Sequence, residues 1–252
     1  MSNTLGNTYA AELIKLRTLP GALLAIAATA LAAVLLAAAF TATAVSAESA
    51  NGAAIAVIDV VRPSIGYLQI GFMVLGILTA ATEYSPGQIR TTLTSVPNRW
   101  LLFAGKTIAY LTVGTLAAAI TVAAGIATAF LALGEERASW GGATTAENVR
   151  VLLAAAAYLL TVGLFAYAVA LLTRTLIATL VAMLALALII SPYLSAVSTL
   201  ARYLPDAAGK RMFSNGPLTD GHLTPVQGAA VLAAWLVTAL AGAALALRKR
   251  DA

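Results

Sequence analysis

The sequence predicts an all-α membrane protein with six transmembrane helices. Two further elements complete that prediction, an N-terminal amphipathic interfacial helix and a short cytoplasmic coupling helix between spans two and three. Three observations lead there. Of the 252 residues, 61% are hydrophobic and only 10% charged, against roughly 45–50% and about 25% in an average soluble domain. Mean hydropathy is +0.91. The apolar residues gather in runs long enough, at about 1.5 Å per residue, to cross a hydrocarbon core of roughly 30 Å.

Taken in order, residues 5–18 hold Tyr9, Leu13 and Leu16 on one helical face, with Glu12, Lys15 and Arg17 around the others. That pattern suits a helix lying in the membrane interface. Pro20-Gly21 marks a bend into the first span, at about 19–45. A run of about 27 residues exceeds a signal-peptide core of about 7–15, so it reads as a retained span. A polar link with Glu48, Asn51, Asp59 and Arg62 follows, holding an apolar patch at 53–58 too short to cross. The second span is expected at 64–82, with Gly66, Gly71 and Gly76 spaced by five rather than by the four of a GxxxG face.

The stretch at 83–99 is the longest polar interruption in the first half that keeps the marks of ordered structure. Ser85 suits an N-cap and Pro86 a first turn, while Pro97 disfavours helix at Val96. Ile89, Leu93 and Val96 fall on one face of the resulting helix, 86–96. The remaining spans are expected at 101–130, 149–172, 176–196 and 225–247. Lys106 near the start of the third would snorkel to the interface. Only Thr173-Arg174-Thr175 separates the fourth and fifth spans, so these should be antiparallel neighbours. A longer link at 199–224 carries Arg202, Pro205, Asp206, Lys210, Arg211, Asp220 and His222. The whole chain, 1–252, reads as one transmembrane domain.

Charge sets the orientation. Six spans put both termini on one side. If that side is cytoplasmic, it holds nine of the fifteen basic residues against three acids, a net charge of +6, and the other side carries −1. The positive-inside rule favours this arrangement, with 83–99 in the cytoplasm, and the expected location is a bacterial cell (plasma) membrane. The formal net charge of +5 is then a topology signal and argues against a nucleic-acid partner.

Several chemistries are disfavoured. There is no cysteine and one histidine, so thiolate and multi-histidine metal sites are excluded. Gly105-Lys106-Thr107 imitates the end of a phosphate-binding loop, but Trp100 stands where that motif requires glycine. Hydrolysis of ATP by this chain itself is not expected. The spans lack a nucleophile with its base or a carboxylate pair, and no ionisable side chain lies at midspan, as ion-coupled transport usually needs. Glu83, at the cytoplasmic end of span two, is the nearest. Any driving force should therefore come from a partner acting on 86–96.

The residues Glu83-Tyr84-x-x-Gly87-x-Ile89-Arg90-Thr91-Thr92-Leu93, followed by Pro97-x-Arg99 and Lys106, resemble the first cytoplasmic loop of the type-two ABC transporter permeases. Glu12-x-x-Lys15-Leu16-Arg17 is similar to the interfacial helix of that family. Leu172-x-Arg174-Thr175, Leu204-Pro205-x-Ala207-x-Gly209 and Arg250-Asp251-Ala252 match further parts in the same order. Gln88 departs from the family, which more often has threonine there. The resemblance implies an exporter of two permeases, identical or homologous, and two cytoplasmic ABC ATPase subunits that carry ATP and Mg. In it, Glu83, Gly87, Ile89, Arg90, Thr91, Leu93 and Arg99 would form the ATPase-coupling region. Glu83 could equally be an interfacial carboxylate pairing with Arg90, and Arg90 and Arg99 could equally anchor at lipid headgroups. Tyr67, Gln69, Tyr110, Thr112 and Tyr193 are the candidates for a substrate path, which would suit a hydrophobic or amphipathic cargo such as a drug, an antibiotic peptide or a lipid. The alternative is a non-transporting anchor or sensor that recruits a cytoplasmic partner. Ion or metal export is a third reading, for which there is no ligand cluster.

Overall fold

The computed structural model describes residues 5–48, 54–81, 99–141, 143–214 and 223–249. The expected coupling helix at 86–96, with Glu83 to Leu93, lies outside the described residues, as does His222. Within them the chain forms α1 (Leu5–Thr18), α2 (Pro20–Glu48), β1 (Ile55–Ala56), α3 (Val57–Ala81), α4 (Arg99–Leu133), β2 (Ala138–Ser139) and α5 (Thr145–Thr173). A fifth apolar helix starts as α6 (Leu176–Ala185), passes through a π-helical turn at Leu186–Ile190 and ends as α7 (Ser191–Val197). Two 3-10 turns, Thr199–Tyr203 and Arg211–Phe213, flank α8 (Pro205–Lys210), and α9 (Pro225–Lys249) is last. Six of these helices, with the fifth counted as one, are long and apolar enough to cross a membrane.

Contacts between the helices fix their directions. Val61 approaches Gly125 while the Lys106 Nζ reaches the Thr79 carbonyl oxygen, so α3 and α4 are antiparallel. Gln69 meets Tyr158 and Gly76 meets Gly163, so α3 and α5 run parallel. Phe165 packs its ring 6.2 Å from Trp235, and Leu172 lies against Gly242, which makes α5 and α9 parallel too. Gly21 faces Leu78 and Thr29 faces Gly71, an antiparallel register for α2 and α3. The start of α2 and the end of α9 therefore lie at the same end of the bundle.

The centre of the bundle is the α3–α5 pair, each with 61% of its most apolar window buried. The glycines explain their closeness. A Cβ on Gly163 would stand 2.5 Å from the Phe72 carbonyl oxygen, and one on Gly76 would collide with the Gly163 backbone. Small residues let helix backbones touch where lipid offers no hydrophobic drive to association. The five-residue glycine spacing still builds packing faces, contrary to expectation. Five residues turn a helix by about 500°, or about 140° net, so Gly71 meets α2 while Gly76 meets α5.

Three span boundaries differ from expectation. The second span begins at Val57 rather than 64, so Asp59 and Arg62 sit in its first turns and pair with each other. Pro63 lies inside the helix, as proline is tolerated in apolar spans. The apolar patch before it becomes β1, paired in parallel with β2, and the first turn of α3. The third span starts at Arg99. The fourth starts at Thr145, where the Thr144 side chain accepts from the Glu147 amide at 3.3 Å, an N-cap hidden in a polar link. The link after the fifth span is largely folded, with two 3-10 turns and α8 among its described residues. The 173–175 turn is as tight as expected. Arg174 takes a left-handed φ of 58° as the C-cap, and Thr173 and Thr179 join their hydroxyls at 2.5 Å.

Candidate functional site

The first helix, α1, is built of good helix formers from Ala10 to Leu16, and its last turn carries Lys15 and Arg17, where cations suit the helix dipole. It packs along α4. Thr8, Glu12 and Leu16 form its buried stripe, at i, i+4 and i+8. Gly105 makes room for it, since a Cβ there would lie 2.8 Å from the Thr8 methyl. Two turns further along α4, the Tyr9 and Thr112 hydroxyls meet at 3.3 Å.

Glu12, expected on a polar face, is therefore buried, and so is Lys106. The Lys106 ammonium donates to Glu12 Oε2 at 2.8 Å and to the Thr79 carbonyl oxygen at 3.2 Å. Their side chains are 4% and 6% exposed. Lys15 donates to the other Glu12 oxygen at 3.4 Å and stays 41% exposed. Lys106 does not snorkel. A cation near the start of an apolar helix gains more from a carboxylate at contact distance than from stretching to water, provided its remaining protons find acceptors. Here Thr79 supplies one. One side chain thus joins the N-terminal helix, the last turns of α3 and the third turn of α4. Arg17 is exposed and takes no part, and Arg99 opens α4 two turns before Lys106.

The five substrate-path candidates do not converge. Gln69 and Tyr110 are fully inside the bundle. The Tyr158 hydroxyl donates to the Gln69 side-chain oxygen, and the Tyr110 hydroxyl donates to the Leu160 carbonyl at 3.2 Å while its ring stacks 6.0 Å from Tyr167. Tyr67 and Tyr193 are 57% and 68% exposed on the outer surface, and Thr112 is occupied by Tyr9 and its own helix. Each expected polar group at membrane depth is used to bind one helix to another or faces outward.

A second buried charge lies towards the other end of the bundle. Asp206 on α8 has no exposure and accepts from Lys210 Nζ at 3.3 Å. α8 docks on α5 through Gly209, where a Cβ would stand 2.5 Å from the Tyr158 ring, and the Phe213 ring lies 5.3 Å from that of Tyr158. The sequence places Asp206 in the longer link at 199–224, with no sign of its burial. The spacing of Thr8, Glu12 and Leu16 puts them on one helical face, but nothing in that spacing marks the face as buried. Nothing local pointed from Glu12 to Lys106, 94 residues away.

The fold and these interior pairs define the class. This is an all-α protein with six apolar helices each able to cross a membrane, the architecture of a multi-pass membrane protein. Among the described residues no group of three or more His, Cys, Asp or Glu side chains could hold a metal ion. Comparison with protein-family models and with curated proteins found no match.

Proposed function

We propose that the chain is the membrane-spanning permease subunit of an ATP-driven ABC exporter, carrying a hydrophobic or amphipathic cargo out of the cytoplasm. In this reading the chain works with a second permease, identical or homologous, and with two cytoplasmic ABC ATPase subunits that bind ATP and Mg. It sits in a plasma membrane with both termini cytoplasmic, and residues 86–96 are its coupling helix. The observation that supports the reading is the Glu12–Lys106–Thr79 joint at the base of α3 and α4. These are the two helices that residues 82–98 connect, and those residues carry the permease-like loop sequence. With no Asp, Glu, His or Arg at midspan, a driving force from outside is favoured over ion coupling, and a force arriving on that loop needs a stiff connection to the spans. The joint supplies one and includes α1 in it.

The test is purification of the chain with a candidate ATPase in lipid nanodiscs, comparing wild type with Glu83→Ala and Arg90→Ala. The expected outcome is co-purification and cargo-stimulated ATP hydrolysis in wild type, with both weakened in the variants. Normal assembly and normal stimulation in both variants would sink the coupling assignment. Binding without any cargo-stimulated hydrolysis would favour the non-transporting anchor instead.

A further inference from the structure

The fifth apolar helix is broken twice near the end of the bundle opposite the Glu12–Lys106 joint. It is anchored as far as Ser191, since Thr179, Met183, Ala187 and Ser191 recur every four residues as its buried stripe. The first break is the π-helical turn at Leu186–Ile190, where the Ser191 amide donates to the Leu186 carbonyl five residues back. Pro192 follows at once and has no N–H to give the Leu188 carbonyl. A π-turn and a proline are two of the few features that bend a helix sharply, and here they adjoin. The second break is Ser198, extended at φ −147° and ψ 133°, which ends α7 and caps the 3-10 turn after it. α7 is thus a short helical piece between two joints.

Between those joints it is weakly held. Residues 192, 193, 195, 196 and 197 are exposed, and at about 100° per residue they take in every side of the helix. From Ala201 onward the chain is fixed again. Ala201 is buried, the Tyr203 carbonyl accepts from the Trp235 indole at 2.9 Å, and Asp206 holds Lys210 at 3.3 Å. Gly228 of α9 sits so close to α8 that a Cβ there would stand 2.4 Å from the Ala208 carbonyl oxygen. A cavity of about 740 Å³ lies between the two parts, with Pro192, Ser195 and Ala196 on one wall and Ala207 and Lys210 of α8 on the other. We propose that α7 is a hinged lid over this cavity, swinging about the π-helical turn and Ser198 to close against α8. Segments with few buried contacts move at the least cost, and a hinge is a short stretch that absorbs the backbone rotation while the pieces beside it stay rigid. The lid needs neither an ATPase nor a cargo to move, so it stands whether or not the chain is an exporter.

Spin labels test it directly, because the chain has no cysteine of its own. With A196C/V226C labelled in the full chain in lipid nanodiscs, double electron–electron resonance should show two distances, one for each lid position. The control is I177C/V226C, which joins exposed positions on α6 before the hinge and on α9, and should show one. Pro192→Ala restores an N–H that bonds across the hinge, and that bond must break when α7 swings. One such hydrogen bond is about fivefold in an equilibrium, so the closed population should fall by about fivefold. In the closed position A196C/A207C should form a disulfide under mild oxidant, which needs Cβ atoms within about 3.5–4.5 Å. A single distance for A196C/V226C overturns the lid, and so does an equal spread in the control or a ratio unmoved by Pro192→Ala. Two distances without the disulfide would mean that α7 moves away from α8, which overturns it too. Should Pro192→Ala fail to fold, the distances and the disulfide still decide.

Discussion

Glu12→Gln isolates the energetic content of the joint. The change leaves shape and one carbonyl acceptor but removes the charge facing an ammonium only 4% exposed. Breaking a buried pair by removing one partner typically costs about 3–5 kcal/mol, because the surviving charge stays desolvated. Lys106 keeps the Thr79 carbonyl, which offsets part of the loss, so we expect about 3 kcal/mol. Lys106→Met should cost a similar amount, since it strands Glu12 with the half-exposed Lys15 as its remaining cation. The double variant should cost much less than the sum, because two uncharged groups of similar volume replace a pair that was expensive to bury. For a chain of this length, about 3 kcal/mol corresponds to a fall in Tm of roughly 6–12 °C. Thermal unfolding in detergent, followed by tryptophan fluorescence or circular dichroism, reads all four proteins. If the losses add, with a coupling below about 0.5 kcal/mol, then Glu12 and Lys106 do not face each other across a dry contact and the joint is wrongly drawn.

Two further predictions concern the interior of the bundle. Tyr158→Phe removes the hydroxyl that satisfies the buried Gln69 oxygen and should cost about 1–3 kcal/mol; adding Gln69→Met should recover much of it in the same unfolding assay. Gly163→Ala and Gly125→Ala should differ in sign. The new methyl at 163 meets the Phe72 backbone at 2.5 Å, whereas at 125 it meets the Val61 side chain at 3.6 Å. The first should lose about 1–3 kcal/mol through overpacking, and the second should gain up to about 1 kcal/mol of helix propensity. Equal effects at the two positions would refute the close approach of α3 and α5.

The existence, number and order of the six apolar helices were legible because a span needs only length and hydropathy, both local properties. The boundaries were less so. The second span starts seven residues earlier than expected, through Asp59 and Arg62, and the fourth starts four residues earlier at the Thr144 cap, because polar residues in the first turns of a helix carry no apolar signal. The polar residues at depth were legible as residues, but the partners they bond were not. Gln69 and Tyr110 bond other helices, and which helix a buried polar group will meet depends on packing that no single segment encodes. For the same reason Glu12 and Lys106 were each noticed and assigned separately to the interface. Only the close passage of α1 over Gly105 brings them together.

The small parallel ladder between β1 and β2 has a mechanical meaning once it is set beside the joint. Ile55 bonds the Arg137 carbonyl at 2.8 Å, just before α3 begins and just after α4 ends. At the opposite end, Lys106 of α4 holds the Thr79 carbonyl of α3. Two antiparallel rods fastened at both ends form a closed frame, which resists splaying far better than rods touching along one side. Torque applied at either end would therefore turn α3 and α4 as one rigid plate, and the rest of the bundle would have to yield around them.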